Sequence, residues 1–308
     1  MKKGNRTVDQ ILPEYLKEKK IVLKPASYRA HVGKTKMLSE WLSNNGYSDR
    51  PIRKIKNKHI HEFFMYLADV RDLDKATCER YRDTLRIFFK YAKSIKELDK
   101  LPFKRVVLPI KKRDCKPKYI PKEYIVELLN TIRENDFQLF IASMIEYCSA
   151  VRPGDEMLNL KIKDIDFNNM TIKVGQLKAK TGKQRFADLT KELAVYLIEY
   201  GIKNADQEDY LFAQKHTYGK IKITKNNFPY RFNKYRDKLG IDKGVKFYSL
   251  KHTGATDLIN TKLSSLPQLM KHLGHTKISS TEHYVLEHGG VTNDIIKDRF
   301  VSPLVDTI

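Results

Sequence analysis

Residues 151–167, VRPGDEMLNLKIKDIDF, mark the point where the chain changes its pattern. Immediately before them, FQLFIASMIEYCSA (137–150) is apolar around much of a helix circumference. Pro153-Gly154 then turns the chain into a helix. Immediately after, DIDFNNMTIKVGQ (164–176) and KQRFADL (183–189) alternate apolar and polar residues, the period of a half-buried strand. Between the two lies KAKTGK (178–183), whose Thr181-Gly182 suits a tight hairpin turn.

Elsewhere the spacing is helical. Apolar residues three and four apart recur in VDQILPEYLKEKK (8–20), SYRAHVGKTKMLSEWLSNNGY (27–47), NKHIHEFFMYLADVR (57–71) and KATCERYRDTLRIFFKYAKSI (75–95), with Pro25, Gly46, Pro51 and Asp74 as punctuation. They recur again in 121–135, 191–201, 226–240, 245–261, 264–275 and 279–289. The expected fold class is mainly α (α+β): a helical N-terminal domain, then a mostly helical C-terminal domain with a small antiparallel sheet. A chain of 308 residues exceeds what one core usually serves, so two domains are expected. Residues 1–105 form the first and 122–290 the second. Residues 106–121 form a basic, proline-containing linker, and 291–308 a tail that packs on a neighbouring copy or on its own subunit.

Charge separates the halves. Residues 1–118 carry 31 Lys+Arg against 14 Asp+Glu, whereas the remainder carries 28 against 23. So lopsided a distribution points to a polyanion partner, although a lysine-rich solvated surface gives the same count. No 18-residue apolar run or lipidation motif points to a membrane, and the N-terminus has no apolar stretch of the secretory kind. Three widely spaced cysteines, Cys78, Cys115 and Cys148, favour neither disulfides nor zinc and fit a reducing cytoplasm. The histidines His272, His275, His283 and His288 lack the spacing of a zinc helix, so no metal is expected.

Four short segments carry potential chemistry. Arg152 follows the apolar helix, with Asp155 three residues on to orient it; a permanently charged fork suits two oxygens of one phosphate. The hairpin holds Lys178, Lys180 and Lys183. Phe247-Tyr248-Ser249-Leu250-Lys251-His252-Thr253 is the third segment, and Leu273-Gly274-His275 with Tyr284 nine residues later is the fourth. Singly, each has a plain structural reading: an ion pair, a solvated turn, a half-buried tyrosine on a helix.

Together, their order and spacing resemble the tyrosine recombinase (phage-type integrase) family over nearly the whole chain. VRPGDEMLNLKIKDIDF is similar to that family's arginine box, and LGHTKISSTEHYVL to its His-to-Tyr box. The resemblance implies a core-type DNA-binding domain, a catalytic domain, and a site-specific recombinase that works through a 3′-phosphotyrosine without metal, cofactor or ATP. It implies Tyr284 as nucleophile, Arg152 as first arginine, Asp155 as its supporting acid, Lys180 as hairpin lysine with Lys178 as rival, and His275 as the late histidine. The frame that usually reads His-x-x-Arg is here Tyr248-x-x-Lys251; Lys251 keeps the charge without the fork, and Tyr248 keeps a hydrogen-bonding tip. Lys104, Arg105, Lys111, Lys112, Arg113, Lys178 and Lys183 are the expected DNA-backbone contacts. The implied partners are double-stranded DNA sites and a homotetramer, in the cytoplasm on the nucleoid. Few residues precede the first helix, so a separate arm-binding domain is not expected. A type IB-like topoisomerase and a DNA-binding regulator with a decayed site are the competing readings.

Overall fold

The computed structural model describes residues 5–104, 106, 108, 118–175, 184–260, 265–279 and 281. The chain divides into two compact units, Met1–Asp114 and Cys115–Ile308, and the division falls within the linker segment 106–121.

In the first unit the helices are α1 (Val8–Val22), α2 (Pro25–Asn44), α3 (Asn57–Asp69) and α4 (Lys75–Ser94). The boundaries follow local chemistry. Thr7 and Gln10 form a reciprocal cap on α1, Pro25 takes the first position of α2, and Asp74 accepts from the Thr77 amide at the start of α4. Each helix buries one stripe: Val8, Ile11, Leu12 and Tyr15 on α1; Ile60, Phe63, Phe64 and Leu67 on α3; Leu85, Phe88, Phe89 and Ala92 on α4. The aromatic rings meet edge to face, as in Tyr15–Phe88 (5.2 Å between centroids) and Trp41–Phe63 (5.6 Å). Each fully buried large side chain contributes roughly 1.5–3 kcal/mol of burial.

In the second unit, α5 (Lys122–Asn135) and α6 (Phe137–Ser149) precede α7 (Asp155–Leu158). A three-stranded antiparallel sheet follows, with β1 (Ile165–Asp166), β2 (Thr171–Val174) and β3 (Arg185–Asp188) in spatial order β1-β2-β3. Ile165 faces Ile172, and Ile172 faces Ala187, so the buried face is continuous across the strands. Then come α8 (Lys191–Glu199), α9 (Asn227–Lys238), α10 (Ser249–Asn260) and α11 (Leu266–Leu273). The expected mainly α architecture with a small sheet is what the structure has.

Helix α6 is the axis of this unit. It is buried almost all round and is packed by α5, α8, α9, α10 and β3. Its N-terminus is capped by Asp136, whose carboxylate also takes both the Nε and Nη2 of buried Arg231 from α9. Helix α10 comes so close to α6 that a Cβ on Gly254 would collide with the Tyr147 carbonyl. The Tyr119 and Tyr147 hydroxyls both donate to Asp257, which pins α10 to α6 and to the segment before α5. These contacts set the C-terminal end of α6 beside the start of α10.

Candidate active site

The site begins where α6 ends. Ala150 adopts a left-handed conformation (φ 50°, ψ 27°), unusual for a residue with a Cβ and costing about 1 kcal/mol. This turn reverses the chain and leaves the Ala150 carbonyl and the Arg152 side chain on one side. Gly154 (φ 91°) then starts α7 at Asp155.

That start decides which acid supports Arg152, and it corrects the expectation for Asp155. Asp155 is exposed, whereas Glu156 is 2% exposed and faces inward. The Arg152 backbone amide donates to Glu156 Oε2 (3.0 Å) and its Nη1 to Oε1 (2.7 Å). Arg152 Nη2 donates to the Gly274 carbonyl at 3.1 Å. Burial opposes the charge on Glu156, but Arg185 and Arg152 outweigh it and hold the carboxyl below its usual range.

Arg185, at the start of β3, is a residue the sequence reading passed over. Its Nη2 donates to Glu156 Oε2 (3.0 Å) and to the Ala150 carbonyl (3.1 Å), and its Nη1 to the His272 carbonyl (3.3 Å). A Cβ on Gly274 would lie 2.8 Å from Arg185 Cδ and Nε, so glycine is needed there for the close approach as well as for φ +63°. The available signal was a glycine directly before His275 and an arginine opening a strand; neither names the other.

Lys251 and Tyr248 arrive from α10 and the turn before it. Lys251 is 0% exposed, and its ammonium donates to the Ala150 (2.6 Å) and Leu273 (3.2 Å) carbonyls. Its head is thus sealed inside, against two backbone carbonyls. Burial first, then Arg152 and Arg185, push its pKa down to about 7. Tyr248 is half-buried, lies edge to face on His252 (5.0 Å), and accepts a hydrogen bond from Arg152. Burial pushes its phenol up, and Arg152 pulls it back. On α6, Glu146 is fully buried and neither carboxylate oxygen has a hydrogen-bond partner among the described residues. Burial lifts it well above the carboxylate range against the pull of Lys251.

His275 follows α11, whose C-terminus is closed by Gly274 in the left-handed conformation. Its Nδ1 lies 2.9 Å from the hydroxyl of buried Thr281. Burial, then Lys251 and Arg152, depress its pKa to about 4, so the ring is neutral near pH 7. Three cations from distant segments thus converge on the Ala150 and 272–274 carbonyls, around one buried carboxylate. Such a site concentrates positive charge and forked donors, which suits an anionic oxygen cluster.

Tyr284, Lys178, Lys180, Lys183, Arg105, Lys111, Lys112 and Arg113 lie outside the described residues. Lys104 is exposed, with its amide on Asn57. Among the described residues no group of acids, histidines and cysteines is arranged to hold a metal ion, and no helix is long and apolar enough to cross a membrane.

Residues 118–288 match the model of the phage integrase family. A tyrosine recombinase of Pseudothermotoga lettingae is 28% identical over 83% of this chain and 85% of its own length. The XerC tyrosine recombinase of Leptospira interrogans is 28% identical over 81% of this chain and 78% of its own length. Among solved structures, a tyrosine-to-phenylalanine variant of the Tn1549 transposon integrase, in complex with transposon right-end DNA, superposes with a TM-score of 0.76 at 18% identity. That match covers 95% of this chain and 98% of the integrase. A lambda integrase tetramer bound to a Holliday junction superposes with a TM-score of 0.72 at 16% identity, over 90% of this chain and 79% of the other.

Proposed function

We propose a function from one premise: the chain belongs to the phage integrase family, whose model matches residues 118–288. It is a tyrosine-type site-specific DNA recombinase. The finer reading is that it cuts and rejoins each strand through a 3′-phosphotyrosine on Tyr284. The observation that carries this is the convergence of Arg152, Tyr248, Lys251 and His275, from distant segments of the chain, around the Ala150, Leu273 and Gly274 carbonyls.

The chemistry follows from the residues. A phosphodiester is anionic and repels nucleophiles, so the site must place positive charge on the non-bridging oxygens. Arg152, aimed by Glu156, grips the phosphate. His275 is neutral; in the tautomer whose Nδ1 accepts from the Thr281 hydroxyl, the proton is on Nε2, which gives the phosphate a hydrogen bond without adding charge. Lys251 holds the Ala150 turn against Leu273 and keeps these groups in register. Tyr284 is a poor nucleophile at an ordinary phenol pKa near 10, and a cationic pocket favours its phenolate. As its oxygen bonds to phosphorus, the bond to the 5′ oxygen breaks, and Lys180 supplies that oxygen with a proton. The 5′ hydroxyl of a second strand then displaces the tyrosine. One phosphodiester is exchanged for another, so the cycle requires neither ATP nor metal.

Two duplexes must be paired for strand exchange, which fits a homotetramer on paired sites. The basic segment with Lys104, Arg105, Lys111, Lys112 and Arg113 would follow the backbone, with Lys178 and Lys183 contacting DNA from the hairpin.

The test is a nicked suicide duplex carrying the attachment site, incubated with the full chain in EDTA. A covalent adduct that disappears with Tyr284→Phe is the expected result. No adduct on any cognate site leaves a DNA-binding regulator, and relaxation of supercoils without strand exchange leaves a topoisomerase.

A further inference from the structure

Arg185 stands in the same cluster as Arg152 and takes no part in the chemistry above. We infer that Arg185 supplies the second guanidinium charge acting on the scissile phosphate, the place that sequence order assigns to Lys251. This rests on the phosphate-site reading of the preceding section.

The first observation is exposure. The Arg185 side chain is 13% exposed and that of Arg152 16%, whereas Lys251 is 0% exposed and its ammonium is on two carbonyls. The two arginine side chains therefore keep some contact with the surface and the Lys251 side chain does not. The second is the shared carboxylate. Glu156 Oε1 takes Arg152 and Oε2 takes Arg185, which fixes the two forks side by side. Arg152 with Glu156 alone sums to zero charge; Arg185 is what leaves a full positive charge on the trio. A guanidinium cannot lose that charge, whereas a desolvated ammonium gives up its proton readily. The third is placement. Arg185 lies directly under Gly274, the residue before His275, where any Cβ would strike it. Its Nε–H is buried with no acceptor among the described residues, so the head is not saturated by the protein alone.

The experiment compares two suicide duplexes that differ only at the scissile linkage: an ordinary phosphodiester, and a methylphosphonate in which a neutral methyl replaces one non-bridging oxygen. The rate of covalent adduct formation is read for the full chain, Arg185→Gln, Arg185→Lys and Lys251→Met. Losing a preorganised charge donor slows such steps by about 100- to 1,000-fold. Arg185→Gln should lose about that much on the phosphodiester, yet stay within about fivefold of the unsubstituted chain on the methylphosphonate, where there is less charge to neutralise. Arg185→Lys, which loses the fork and carries charge only while protonated, should lose less than Arg185→Gln on the phosphodiester and recover on the methylphosphonate in the same way. Lys251→Met should lose equally on both substrates. Equal losses for Arg185→Gln on both, or methylphosphonate rescue of Lys251→Met instead, would overturn the inference. Where Arg185→Gln does not fold, judged by its melting curve, Arg185→Lys decides: an equal loss on both substrates overturns the inference. Absence of adduct from the unsubstituted chain would instead overturn the phosphate-site reading itself.

Discussion

At the scale of single residues, the site turns on which side chains face inward. Arg152 and His275 were legible as candidates, because their segments have distinctive spacing, and the structure brings them into one cluster. The acid beside Arg152 was not. Asp155 and Glu156 are neighbours, and only the backbone turn at Gly154 (φ 91°) decides that Glu156 points in. The consequence is a sharp contrast. Glu156→Gln leaves two part-buried guanidinia without their buried carboxylate; breaking such a pair costs up to about 3–5 kcal/mol, and strand cleavage should fall at least about 100-fold. Asp155→Ala, at an exposed position, should change stability by less than about 0.5 kcal/mol. Chemical denaturation and a cleavage assay on both variants check this. His275 offers a second test. Its folded pKa is about 4 against an ordinary 6.5, so the unfolded chain binds the proton first. The His275 contribution to stability is therefore complete above pH 6.5 and is lost as pH falls towards 4. In a histidine ring NMR titration, His275 should stay neutral at pH 5.5, where an ordinary histidine is mostly protonated.

Helices and strands were easier to read than their contacts. The stripes on α1, α3 and α4 follow i, i+3, i+4, i+7 spacing closely, so their buried residues could be named from periodicity. The hairpin strands β2 and β3 followed from alternation. What periodicity does not encode is the approach of one element to another. Helix α10 reaches the site because Gly254 lets it lie on the Tyr147 carbonyl, and β3 reaches it because Gly274 leaves room for Arg185. Both contacts join residues about 90 to 110 apart in sequence, beyond any local pattern. A methyl group at Gly254 must push α10 from α6. Gly254→Ala should therefore cost about 1–3 kcal/mol and displace Lys251 and Tyr248 from Arg152. A lowered melting temperature with a comparable loss of cleavage is the expected outcome, whereas native stability and activity would show that α10 can shift without consequence.

For the whole molecule, charge is the property that matters. The chain carries a net +22, most of it in residues 1–118, and DNA backbone contacts of this kind displace condensed counterions. DNA affinity should fall by about 10³- to 10⁵-fold between 50 and 200 mM salt, a slope that fluorescence anisotropy titrations can measure directly. A shallow slope would mean that the basic surface is solvated and takes little part in binding. The central claim remains chemical: among 17 tyrosines, Tyr284 takes the strand end. The most direct measurement is peptide mapping by mass spectrometry of the covalent complex formed on a suicide duplex. The account predicts a single modified peptide with the 3′-phosphorylated nucleotide on Tyr284. The same nucleotide found on any other tyrosine, or on no protein residue, would contradict it.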